Sequence, residues 1–142
     1  MANLTANANV TGRLDGRTAE LIIASSNTIY EGALVAVNAS GLAIASPTDT
    51  ANFRFMGVCI KGGVGDGSTV TCVVERRGTR VFPKASAAVS DTGKLAFVVA
   101  GDNNAVGLSV PLTNAKYCVG RIVAVDTTNN TVEVDLEDRV DA

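Results

Sequence analysis

"KGGVGDGSTVTCVVERRG", residues 61–78, decides between two folds. Glycines at 62, 63, 65 and 67 follow Lys61 and precede a pair of arginines, the outline of a phosphate-binding loop. A dinucleotide fingerprint needs a strand, a glycine turn and then a helix whose N-terminal amides receive the pyrophosphate. Here the turn runs instead into "STVTCVVE", rich in residues that favour an extended chain. Val70, Cys72 and Val74 fall on one face of that strand, with Thr69, Thr71, Val73 and Glu75 on the other. No helix start and no Gly-Lys-Ser/Thr follows the glycines, so the phosphate reading fails. The glycines are expected to form a flexible loop between two strands.

Outward from this stretch the same pattern repeats. The runs "ELIIA" (20–24), "ALVAV" (33–37), "GLAIA" (41–45), "FMGVCI" (55–60), "TRVF" (79–82), "KLAFVV" (94–99), "VGRIVAVD" (119–126) and "TVEVDLE" (131–137) are short and apolar. Turn-forming clusters separate them, which suits an all-β barrel or sandwich. In "TVEVDLE" Val132, Val134 and Leu136 point inward, and Glu133, Asp135 and Glu137 point outward. "NASG" (38–41), "GDNN" (101–104) and "DTTNN" (126–130) supply residues that tolerate positive φ or bond their own backbone, as hairpin tips require. "PKASAAVSDTG" (83–93) is the place for one short helix, with Gly93 able to end it. Residues 1–18 show no period and read as an extended N-terminal arm. Residues 19–142 form one domain, since no repeat or composition shift divides them.

Bulk properties exclude several functions. A chain of 142 residues can bury about 68% of its unfolded surface, enough for a real core. Its net charge of −2 argues against nucleic acid as a partner. No apolar run approaches the ~18 residues that would span a bilayer, and no signal peptide is recognisable, so synthesis and retention in the cytoplasm are expected. Cys59, Cys72 and Cys118 lie far apart inside apolar runs and read as buried thiols.

Catalytic chemistry finds little to stand on. The chain has no histidine, which removes the commonest acid/base and the commonest neutral metal ligand. Glu133, Asp135 and Glu137 are spaced by roughly 6.6–6.8 Å, near the separation of an inverting glycosidase pair. Alternation with aliphatics reads more simply as the solvated face of a strand, where like charges also discourage edge pairing. No cofactor and no metal site is expected, because neither "SPTDTANFR" nor "DTGK" has the spacing of a calcium or phosphate loop. Arg76, Arg77, Arg80 and Lys84 form a local basic cluster suited to acidic side chains on a protein partner.

The order of "EGALVAVNASGLAIAS", "FRFMGVCI", "VVERRGTRVFP", "SDTGKLAFVVAGDNNAV" and "VGRIVAVDTTNNTVEVDLE" resembles the capsid decoration, or cement, proteins of tailed bacteriophages, in their small β-rich group. The resemblance covers roughly residues 30–137. It implies a β-barrel-like or β-tulip-like domain without enzymatic activity, bound to the virion exterior. Its partner would be the major capsid protein, and its form on the capsid a homotrimer. By the same analogy the arm, with Asn3, Leu4, Thr5 and Arg13, and the Arg76, Arg77 and Arg80 region would contact the shell. Two alternatives remain: a carbohydrate- or receptor-binding β module of a phage tail or adhesin, and an enzyme using Glu133, Asp135 and Glu137. The first would need exposed aromatics, for which Tyr30, Phe53, Phe55 and Tyr117 are the candidates.

Overall fold

The computed structural model describes residues 17–45, 54–99, 104–108 and 118–138. It is all-β, as the pattern of short apolar runs requires. The first sheet has the order β1 (Thr18–Ile22), β7 (Thr71–Glu75), β5 (Arg54–Lys61), β3 (Leu34–Val37) and β4 (Ala43–Ile44). All its neighbours are antiparallel. It curls into a half-barrel whose margins meet, because Ile23 bridges Ala43 and the Ala24 amide donates to the Ala43 carbonyl at 2.9 Å. Joining the margins removes edges that would otherwise be open to other chains.

Inside the curl lie Ile23, Val35, Cys59, Cys72 and Val74. A ribbon of β2 (Thr28–Ile29) and β6 (Gly63–Val64) adds Ile29 to the same cluster. The second sheet has the order β10 (Val106–Gly107), β9 (Leu95–Val98), β11 (Cys118–Asp126), β12 (Thr131–Asp135) and β8 (Thr79–Pro83). Its inner face supplies Phe82, Val98, Ile122, Val132 and Val134 to a second cluster shared with Leu34, Ala36, Phe55 and Val58 of the first sheet. One layer of apolar side chains thus joins the two sheets, the two-layer solution that sheets with one apolar face require. The alternation expected in "TVEVDLE" is present: Val132 and Val134 are fully buried, and Leu136 is buried just beyond the strand.

Two differences from the sequence reading have physical causes. The glycine stretch expected to be flexible is fastened to residues 23–29. Gly65 donates to the Asn27 carbonyl at 2.8 Å and Gly67 to the Ile23 carbonyl at 3.0 Å. The Asp66 carboxylate accepts the amides of Ser68, Thr69 and Val70 and the Thr69 hydroxyl, which holds Asp66 well below the usual carboxylate range. Two of the glycines serve close approach. A Cβ at Gly62 would lie 1.8 Å from the Ile29 carbonyl oxygen, and one at Gly65 would lie 2.2 Å from that of Ala24.

The helix expected over 83–93 shrinks to a single 3-10 turn, Val89–Asp91. Its would-be amide donors are taken elsewhere: Lys84 bonds the Asn130 carbonyl and Ala87 the Asn130 side chain. Ser86 also takes a positive φ of 53°, which a helix does not admit. Inside this segment the buried Lys84 meets the buried Asp91 at 3.0 Å. The Ala88 amide, followed by Lys84, lowers the Asp91 carboxyl pKa. Finally, β1 starts at Thr18, so the folded part already includes the last residue assigned to the arm. Two hairpin tips are formed at 38–41 and 126–130, with Asn38 and Asp126 accepting amides of their own turns. The third, at 101–104, falls largely outside the described residues.

Candidate docking surfaces

The arginine cluster sits where the chain leaves the first sheet for the second. Residues 76–78 join β7 to β8, and Gly78 makes the bend at φ +85°. Glu75, at the end of β7, receives Arg80 of β8 at 2.5 Å and Arg17 at 3.1 Å. Arg80, and after it Arg17, holds the Glu75 carboxyl below its ordinary range. Arg77 reaches Glu137 at 2.9 Å, and the Gly78 amide adds a bond to the same carboxylate at 3.3 Å. Arg77 first, then that amide, lowers the Glu137 pKa. Arg17, Glu75, Arg77, Gly78 and Glu137 line an open groove of about 410 Å³.

The basic cluster read from the sequence is thus met by carboxylates of its own chain. Arg77 and Arg80 each have a carboxylate of their own chain, and Lys84 is buried against Asp91 rather than displayed. Arg76 stands apart from the groove: its amide bonds the Arg17 carbonyl at 2.8 Å, and its buried Nε has no hydrogen-bond partner among the described residues. Among the described residues three guanidinium groups, those of Arg17, Arg77 and Arg80, share the carboxylates of Glu75 and Glu137. Sequence reasoning did not bring Arg17, Glu75 and Glu137 to this corner. Arg17 lies 58 residues from Glu75 and Arg77 lies 60 from Glu137, beyond any local signal, whereas Arg80 meets Glu75 from five residues on. Asn3, Leu4, Thr5 and Arg13 lie outside the described residues.

The three acids of the last strand do not form one cluster. Glu137 is past the end of β12 and paired with Arg77, whereas Glu133 and Asp135 stay on the outer face. Glu133 aligns with Val81 on one side and Ala124 on the other. Among the described residues no three His, Cys, Asp or Glu side chains come together as a metal-binding group. Of the aromatic candidates, Phe55 is buried in the inter-sheet core and cannot stack on a ligand. Tyr30 is 68% exposed beside a depression formed with Glu31, Gly32, Ala33 and Asn104. Phe53 and Tyr117 lie outside the described residues. All three cysteines are buried. No helix among the described residues is long and apolar enough to cross a membrane.

No protein-family model, no curated protein and no solved structure matches the chain.

Proposed function

We propose that this chain is a non-enzymatic structural protein that binds the outer surface of an assembled tailed-phage capsid and stabilises the shell. The observation that carries the reading is the arginine corner. There the segment leading to the arm is tied by Arg17 to Glu75, and through Glu75 to Arg80 of the second sheet. An arm that leaves a corner lined by Arg17, Arg77 and Arg80 is suited to laying an extended segment along a partner whose polar groups meet those side chains. The partner is the major capsid protein, and the bound form is a homotrimer at local three-fold positions. Each copy makes modest contacts, but once one subunit is attached, the second and third attach effectively intramolecularly. The protein therefore resides on the virion exterior after synthesis in the host cytoplasm.

The test is direct. Purified protein is mixed with matured, undecorated capsids and imaged. Stoichiometric density at symmetric positions on the shell is the expected outcome; bare shells at saturating protein would end the proposal.

A further inference from the structure

Among the described residues, the second sheet ends in a strand whose outer edge is open: β8 is at its margin and pairs there only with β12. The Lys84 amide bonds the Asn130 carbonyl, and the Leu136 amide bonds the Gly78 carbonyl. Bonding alternates along an antiparallel ladder, so even-numbered residues of β8 bond β12 and odd-numbered ones face away. The N–H and C=O groups of Thr79 and Val81 and the carbonyl of Pro83 thus point to the open side. Pro83 itself has no N–H, which suits an edge strand.

The surface beside this edge is apolar around a carboxylate. Thr79, Val81 and Pro83 are exposed, Val81 to 63%. A bulge in β11 between Ile122 and Ala124 leaves Val123 exposed as well. Val81, Ala124, Val125, Asp126, Thr131 and Glu133 line a shallow depression of about 280 Å³. Glu133 has no ion pair among the described residues. The nearby arginines are committed: Arg80 to Glu75, Arg77 to Glu137 and Arg121 to Asp138.

We infer that the β8 margin accepts, as an added strand, an extended segment of a partner protein carrying lysine or arginine. Backbone bonds to Thr79 and Val81 supply affinity, and the basic side chain supplies specificity. A strand beside β8 lies about 4.8 Å from it, so a long basic side chain crosses one strand. Its aliphatic stem covers Val81 while its charge meets Glu133. A second copy of this chain fits less well: pairing β8 with β8 brings two Glu133 faces together and supplies no cation. The inference rests on the capsid reading only for which protein provides the segment.

The full chain is titrated with a labelled heptapeptide in which valine and lysine alternate, and with its glutamate counterpart. Fluorescence anisotropy should show saturable binding of the lysine peptide alone. Glu133→Gln and, separately, Val81→Pro should each weaken it at least tenfold with the thermal transition retained. Glu133→Gln keeps the test valid if Val81→Pro does not fold. Absence of lysine-peptide binding at millimolar concentration, equal binding of both peptides, or affinity unchanged in Glu133→Gln would overturn the inference. Concentration-dependent dimerisation abolished by Val81→Pro would assign the edge to a second copy and also overturn it. Peptide binding without capsid attachment would remove the capsid reading alone; capsid attachment without peptide binding would remove this one alone.

Discussion

Glu75 at the end of β7 and Arg80 in β8 meet at 2.5 Å, so an ion pair spans the point where the chain passes from one sheet to the other. Arg17 joins the same carboxylate and fixes the start of β1 there. The Glu75 pKa is lowered on folding, so the unfolded chain binds the proton more tightly. Its contribution is full above the ordinary glutamate pKa of about 4.3 and is lost as pH falls through the lowered value. The urea midpoint should fall as pH drops below about 4.3. In Glu75→Gln the midpoint should start lower and decline less over that range. Parallel acid profiles for the two proteins would show that the pair adds nothing to stability.

Adjacent glycines should respond oppositely to alanine. At Gly62 a Cβ would lie 1.8 Å from a backbone oxygen, which no rotamer change relieves. At Gly63 the nearest atom is a Val70 methyl at 3.4 Å, an ordinary contact. Gly62→Ala is expected to cost about 3 kcal/mol or more, the upper end of overpacking in a close-packed site. Gly63→Ala should be neutral within about 1 kcal/mol, since the added methyl makes only an ordinary contact and the unfolded chain loses some of glycine's freedom. Denaturant midpoints of the two variants measure the contrast, and equal effects would contradict the close packing of β6 on β2.

The two glycines also mark how far local pattern carries. β7 and β12 are legible because a one-face apolar period survives over five residues. β2, β6 and β10 are two residues long and show no period, so tertiary pairing alone creates them. The Ala/Ser run at 85–88 has helix-forming residues, yet Asn130 captures its neighbouring amides from a turn more than forty residues away. For the site, the sequence displays clustered cations but not the carboxylates that fold onto them. The open edge at Val81 was hidden for a different reason. "TRVF" reads as a strand, but only strand order makes it the margin of a sheet.

The thiols should be silent in the folded protein. Cys59 and Cys72 share the interior of the first sheet, and Cys118 is fully buried. Burial pushes the Cys72 thiol up to about 11, and burial also raises that of Cys59. Reaction with a disulfide reagent needs access, which burial denies to all three, and the thiolate, which is disfavoured at Cys59 and Cys72. At pH 8 no thiol should react within minutes in buffer, and three per chain should react in strong denaturant. Rapid labelling of one thiol in buffer would place that cysteine on a surface.

Lys84 and Asp91 form a buried pair, and removing one partner strands the other charge. Lys84→Met should therefore lower the melting temperature by several degrees. Lys84→Met with Asp91→Leu should recover part of the loss. The comparison is a double-mutant cycle by thermal denaturation, and strict additivity would deny the coupling.

Truncation separates the arm from the fold. Arg17 holds Glu75, its carbonyl accepts the Arg76 amide, and the β1 ladder starts at Thr18. A chain lacking residues 2–15 retains all of these contacts, so its urea midpoint should match that of the full chain. Capsid attachment should behave differently, because the deletion removes Asn3, Leu4, Thr5 and Arg13. If the proposed trimeric attachment holds, a modest loss at each copy is multiplied across the three subunits, so occupancy on expanded capsids should fall steeply. Arg77→Glu tests the other component, since it reverses charge at the groove and releases Glu137. Occupancy unchanged by the truncation would remove the arm from the mechanism. Loss confined to Arg77→Glu would place recognition in the corner alone.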